Sequence, residues 1–230
     1  LSLKQSQLEV SNLSIGITPG TVVDKRYAWA FDKIIEIPWG DDAENVEWKL
    51  HNEWKSIYMT PYQETIKLDC DMLFLSDIST WWDGLAAQPL DIVFANKVLN
   101  WCGHPAVDDY YRQVFIKNKL PNIYTGMFYF RKTPEMHNLF SLVKMIFWNW
   151  ERFFEEFFEP NSRPNYPSTD VIFALAMKIY DCDMVSYTAR SYPTFTHMKS
   201  MIQGWKNENL SEDWRDHRQR KTVSRSGMWR

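Results

Sequence analysis

Short apolar runs, each bounded by polar or turn-forming residues, recur along the chain. "LSIGIT" (13–18) and "KIIEIP" (33–38) have the length and β-branched content of strands. "ETIKLDCDMLF" (64–74), "LDIVFAN" (90–96) and "GMFYFRK" (126–132) read as three more. Between the strands the period changes. Over 46–59, Leu50, Trp54, Ile57 and Tyr58 fall at i, i+4, i+7 and i+8, which predicts an amphipathic helix. Another helix is predicted near 107–118. After Pro134, the residues Leu139, Phe140, Val143, Ile146, Phe147, Trp150 and Phe154 recur at threes and fours. That spacing predicts one long helix to about Phe158, with Pro134 in its first turn. The three prolines of "EPNSRPNYPS" (159–168) make a loop. Thr169–Tyr180 reads as a helix with Ser168 or Thr169 as N-cap, and "MVSY" (184–187) as a short strand. Strands alternating with helices predict an α/β domain with a mainly parallel sheet flanked by helices. No internal repeat or long linker divides it, so the domain is placed at 1–205 and a tail at 206–230.

Composition narrows the classes. Among 230 residues, 45% are hydrophobic, which fits a folded core rather than a disordered chain. The net charge of −3 excludes a uniformly basic nucleic-acid binder. Basic charge does gather at the end, at Arg215, Arg218, Arg220, Lys221, Arg225 and Arg230, against Asp216 alone. The cysteines Cys70, Cys102 and Cys182 form no CxxC pair, which argues against a disulfide framework or thiolate zinc site and fits a reducing, cytoplasmic location. No run of 18 apolar residues is present to span a membrane.

The tetrapeptide "DCDM" occurs at 69–72 and again at 181–184. In the first copy, Ile66, Leu68, Cys70 and Met72 alternate with Lys67, Asp69 and Asp71. Asp69 and Asp71 therefore share a face, about 6–7 Å apart along an extended chain, with Cys70 turned toward the core. They stand at the carboxyl end of a strand, the edge at which open α/β sheets bind ligands. Paired carboxylates suit Mg²⁺ or Mn²⁺. The second copy follows a helix and stands at the amino end of a short strand, and it reads as a loop rich in backbone-bonding aspartate.

"YQETIKLDCDMLFLSDISTWW" (62–82) resembles the central segment of nucleotide-sugar glycosyltransferases of the GT-A type, most nearly family 8 and related phage-type sequences. Three further segments match in order. "NIYTGMFYFRKTPE" (122–135) is similar to the strand that lines the donor-sugar and acceptor pocket. "STDVIFALAMKIYD" (168–181) is similar to the helix whose acids touch the donor sugar, although it offers Asp170 where the family has paired acids. "FTHMKSMIQGW" (195–205) is similar to the closing metal and phosphate motif, with Lys199 and Trp205 in place of its usual basic and aromatic residues.

The resemblance covers about residues 10 to 205 and implies a Rossmann-like mixed sheet. It implies a Mn²⁺ or Mg²⁺ ion held by Asp69, Asp71 and His197, and a UDP-sugar donor touched by Asn52, Lys55, Gly126 and Lys199. Asp170 is implied at the reacting centre, with retention of anomeric configuration. The family's opening, base-cradling strand is expected to be missing, because the chain opens on "LSLKQSQ". Trp81, Trp82, Trp101 and Trp205 are candidate stacking platforms. The acceptor is not readable; a glycan or a modified DNA base fits, in a host cytoplasm if the chain is phage-encoded. Two other classes stay open: a non-catalytic interaction protein on the same scaffold, and a two-carboxylate phosphoryl-transfer enzyme.

Overall fold

A computed structural model of the chain describes residues 12–47, 50–70, 72, 74, 81–95, 112–180 and, by backbone alone, 98–100 and 195–197. The strands are β1 (Ser14–Ile17), β2 (Lys33–Glu36), β3 (Glu64–Leu68), β4 (Ile92–Ala95), β5 (Val98–Asn100), β6 (Tyr124–Arg131) and β7 (Phe195–His197). The α-helices are α1 (Lys25–Ala28), α2 (Ser56–Met59), α3 (Trp81–Ala86), α4 (Gln113–Lys117), α5 (Pro134–Trp148), α6 (Trp150–Phe157) and α7 (Thr169–Ile179). The protein is a mixed α/β structure.

Strands β1 and β2 pair in parallel, from Ser14↔Lys33 to Ile17↔Glu36. Strands β5 and β7 also pair in parallel. The three-stranded sheet is different: β6 lies between β3 and β4 and runs antiparallel to both. The apolar run of β6 is buried on both faces, a pattern usual for parallel strands. An apolar run does not encode direction, which is why a mainly parallel sheet was the expectation. Because β3 and β4 both oppose β6, their carboxyl ends lie at one edge of the sheet.

The two faces of this sheet serve two clusters. Phe128 and Phe130 of β6, with Ile92 and Phe94 of β4, pack against Phe140 and Phe147 of α5 and Phe173 of α7. Met127 and Tyr129, with Val93 and Ala95, pack against Leu85 of α3. The alternation is that of a pleated sheet covered on both sides. Each fully buried phenylalanine contributes about 1.5–3 kcal/mol. Helix α7 is buried from Asp170 through Met177, so it is an interior helix and its amino end is fixed inside the protein.

Two predicted helices change form. The 46–59 pattern gives a 3-10 turn at Glu53–Lys55 followed by the single turn of α2. Its apolar face is still the one that packs inward: Trp54 and Ile57 are buried and Leu50 and Tyr58 pack against them. The helix begun at Pro134 is capped by the Thr133 hydroxyl, which accepts from the Met136 amide. It stops at Asn149, whose φ of −133° and ψ of 29° leave the helical region, and α6 starts afresh beyond it.

Candidate functional site

Strand β3 ends at Leu68, but the ladder is carried one residue further by the Asp69 amide, which donates to the Gly126 carbonyl at 2.9 Å. This fixes the first aspartate of the motif against the central strand. A Cβ built on Gly126 would sit 3.0 Å from Tyr124 Cε1, 3.2 Å from Met72 Cε and 3.3 Å from Asp69 Oδ2. Glycine at 126 is what lets the end of β3, with its carboxylate, lie this close to β6. Cys70 was expected to face the core and is instead exposed. The strand has already ended, so side-chain alternation no longer governs that position.

Lys67 and Asp69 are two residues apart and share a face. The Lys67 Nζ donates to Asp69 Oδ1 at 2.6 Å and stands 2.9 Å from Glu53 Oε2. Its ammonium also lies 5.8 Å from the centre of the Phe128 ring. Exposure rises outward along this group: the side chain of Lys67 is 16% exposed, that of Glu53 25% and that of Asp69 39%. Burial disfavours the Lys67 ammonium, but the Glu53 and Asp69 carboxylates outweigh it and hold its pKa above the ordinary lysine value. The same ammonium thus serves two carboxylates, with Glu53 Oε2 on its more enclosed side at 2.9 Å.

On the other side of Gly126, the β4–β6 register shifts between Phe94 and Ala95, so that Phe94 pairs Phe128 while Ala95 pairs Tyr124. β6 thus has residues without a β4 partner here. Asp170, in the first turn of α7, takes up the Thr125 amide at 2.8 Å and the Thr125 hydroxyl at 2.6 Å. Its second oxygen accepts from Arg112 at 2.8 Å. Arg112 in turn donates to the Ile123 carbonyl at 2.8 Å and lies over the rings of Phe115 and Tyr124. The Asp170 carboxylate was expected to meet the donor sugar; it is turned into the protein, where both oxygens brace the start of β6. Arg112 was missed in the sequence. The signal available was slight: an arginine between a tyrosine pair and the apolar run of "YYRQVFI".

Asn52 and Lys55 also have structural employment. Asn52 Nδ2 donates to Asp41 Oδ1 at 2.6 Å and its Oδ1 accepts from the Asp42 amide at 3.1 Å. Lys55, expected to touch the donor and offset its phosphate charge, has a fully buried side chain. Its Nζ donates to the Gly40 carbonyl at 2.6 Å and pairs with Asp42 at 3.2 Å. Both residues hold the turn after β2, where Trp39 and Gly40 have φ of 60° and 79°. A tryptophan in that region is strained; the turn is kept by Lys55 and by the Trp39 ring stacked on Trp54, 5.6 Å between centres.

Of the other expected residues, Asp71 and Lys199 lie outside the described residues, as do Trp101, Trp205 and the second DCDM. His197 is described by its backbone only, as the last residue of β7, opposite Asn100. Trp81 packs partly buried in the second cluster, and Trp82 meets Tyr129 edge-on at 6.2 Å.

Among the described residues, no three His, Cys, Asp or Glu side chains converge to hold a metal. The Asp69 carboxylate is partly exposed and stands at the carboxyl end of β3, with Oδ1 bonded to Lys67 and Oδ2 on the Gly126 side. No protein-family model matches the chain, and no curated protein matches it in sequence.

Proposed function

We propose that the chain is a metal-dependent glycosyltransferase that moves a sugar from a nucleotide-sugar donor, in the first instance a UDP-sugar, to an acceptor hydroxyl. One observation carries the reading. Three segments singled out by the resemblance, within 62–82, 122–135 and 168–181, meet at two consecutive residues of β6: Asp69 is bonded to Gly126, and Asp170 to Thr125. Antiparallel β6 between β3 and β4 supports a mixed Rossmann-like sheet of the GT-A type.

In this reading Asp69, Asp71 and His197 hold Mn²⁺ or Mg²⁺, which offsets the charge that builds on the departing diphosphate. Asp170 positions β6 through Thr125, and Gly126 keeps the strand close to the Asp69 carboxylate. Lys199 is the remaining phosphate contact. Retention of configuration belongs to the proposal, as does an acceptor that is a glycan or, given the basic tail, a modified DNA base. The cysteine pattern supports a cytoplasmic setting, that of a host if the gene is carried by a phage.

The test is a screen of UDP- and GDP-sugars with Mn²⁺, reading nucleotide release. Release with one donor, lost in Asp69→Ala and Asp71→Ala, is the expected result. Absence of release with every donor, with no Mn²⁺-dependent thermal shift by UDP and an Asp71→Ala variant that behaves as wild type, would sink the reading. The engagement of Asn52, Lys55 and Asp170 with protein partners favours one alternative, a non-catalytic binding protein on the same scaffold. Mn²⁺-dependent UDP binding without turnover of any donor would select it.

A further inference from the structure

Trp39 is 67% exposed, yet the protein fixes it firmly. Its φ of 60° lies in the left-handed region, where a bulky side chain is strained. The next carbonyl, that of Gly40, is gripped at 2.6 Å by the fully buried ammonium of Lys55, and burying a charge is unfavourable in itself. The result is an indole laid flat on Trp54, with 5° between the planes and 5.6 Å between the centres. Tyr58 stands edge-on to both rings. One face of Trp39 is therefore backed and rigid, and the other is open to water. Backbone strain that the surroundings enforce in this way gathers at ligand clamps.

Helix α5 supplies a polar border. His137 packs on Tyr58, with 5.1 Å between ring centres. Lys144, two turns further along the same face, places its Nζ 4.4 Å from the centre of the Trp54 ring. Among the described residues, none hydrogen-bonds the Tyr58 hydroxyl, the His137 ring or the Lys144 ammonium. A rigid aromatic face bordered by a few free polar groups is the usual make-up of a small-ligand site. Charge narrows the ligand. Glu36, Asp41 and Asp42 flank Trp39 in the chain, and Lys55 offsets only Asp42 among them. The remaining carboxylates repel a polyanion.

We propose that Trp39 is the platform of a binding site for a neutral carbohydrate. A pyranose ring presents slightly positive C–H groups across one flat face, and these meet the negative π face of an indole. Its hydroxyls both donate and accept, so Tyr58, His137 and Lys144 suit its perimeter. A nucleobase also stacks on tryptophan, but a nucleic acid would bring its phosphates to a turn that carries carboxylates. The site is separate from Asp69 and stands without the glycosyltransferase reading. The 53–55 turn lies between the two, with Glu53 toward Lys67 and Trp54 under Trp39. Joined to that reading, the platform favours a glycan over a modified DNA base as the acceptor.

The test is hydroxyl-radical footprinting of the full chain, alone and with maltoheptaose, cellohexaose or mannohexaose, read by mass spectrometry at each tryptophan. One of these oligosaccharides is expected to protect Trp39 several-fold and to leave Trp29, which is 63% exposed, unchanged. In calorimetry with the same oligosaccharide, Trp39→Asn is expected to bind about tenfold more weakly, the size of effect that loss of a stacking ring has. Asparagine adopts the left-handed region more easily than tryptophan, so the variant should keep its fold. No protection of Trp39 by any of the oligosaccharides overturns the inference, and so does a folded Trp39→Asn that binds as wild type. If Trp39→Asn does not fold, the wild-type footprint decides alone. Protection of Trp39 by a single-stranded DNA oligonucleotide and by no oligosaccharide also overturns it and gives the ring to a base. Nucleotide release from a donor with Trp39 unprotected removes the platform and leaves the transferase. Protection of Trp39 by an oligosaccharide, with no release from any donor, leaves the platform and removes the transferase.

Discussion

Lys55 and Lys67 sit on neighbouring elements, both away from water, and are held in opposite ways. Lys55 is fully enclosed and spends its ammonium on a fixed carbonyl, that of Gly40, with Asp42 beside it. Lys67 faces two carboxylates, one of them open to solvent. A carbonyl in a turn is fixed in place and out of water's reach beside the buried ammonium, so Lys55 is a lock on the 39–42 turn. A partly exposed carboxylate is reached by water and salt, so the bond Lys67 makes to Asp69 is screened. The same residue type is therefore held by a fixed carbonyl at one end of the 53–55 turn and by two carboxylates at the other, and the difference is set by the acceptor.

The widest separation between the two is expected in stability. Lys55→Met removes the donor to Gly40 and leaves Asp42 without its cation, and a loss of about 3 kcal/mol is expected in denaturant unfolding. Lys67→Met should cost somewhat less, about 2 kcal/mol: it strips the enclosed Glu53 oxygen of its cation, but Asp69 reaches water and is screened there. Equal losses would erase the distinction between an enclosed lock and a screened contact.

Asp170 extends the comparison to a carboxylate that behaves as a lock. Its partners Thr125 and Arg112 are buried. Asp170→Asn keeps the shape but loses the charge opposite Arg112, and a destabilisation of about 2 kcal/mol is expected. Mn²⁺ affinity at Asp69 should change little beside it. If Asp170→Asn left stability intact and abolished sugar transfer, the bracing role assigned here would be wrong and direct contact with the donor would be right.

Gly126→Ala probes the contact between the central strand and the site. The added methyl meets the Tyr124 ring, the flexible Met72 end and the Asp69 carboxylate at 3.0–3.3 Å. Met72 can yield, so stability should fall by only about 1 kcal/mol. The Asp69 carboxylate must shift, so Mn²⁺ affinity should fall more than stability does. An alanine variant with intact Mn²⁺ binding would show that the close approach is packing alone.

These regions also differ in how much of them could be read from the chain. The alternation through Ile66, Lys67, Leu68 and Asp69 carried the placement of Asp69 at a strand end, and the same period put Lys67 on its face. That neighbour was legible by spacing alone. The role of Lys67 was not, because it depends on Glu53, brought in by a turn whose position no local pattern fixes. The helix expected over 46–59 was the clearest misreading. Its apolar spacing is sound, but Asn52 and Lys55 are drawn to the 40–42 turn, and side-chain bonds of that kind compete with helix formation. The brace of Arg112 on Asp170 joins residues far apart in the chain. The direction of β6 was hidden because a doubly buried strand reads alike in either orientation.

The smallest expected effect lies at the opposite end of β3 from Asp69. There Glu64 accepts from the Tyr129 hydroxyl at 2.7 Å and from Arg131 at 2.9 Å. The Tyr129 hydrogen bond first, and then that of Arg131, hold the Glu64 carboxyl below the ordinary glutamate range. A depressed carboxylate pKa means that the folded state favours the charged form. Its contribution is therefore full above the unfolded value, near 4.3, and is lost as pH falls through the lower folded value. Glu64 is about a third exposed, so the gap between wild type and Glu64→Gln at pH 7 should be under about 1 kcal/mol. Urea unfolding across pH should show that gap constant from neutral pH to about 5 and closing below 4.3. A gap that persists unchanged to the lowest accessible pH would show that Glu64 stabilises by shape rather than by charge. In that case the amino end of β3 would join Lys55 among the contacts that hold by fit, and the charge-dependent ones would be confined to the Asp69 end.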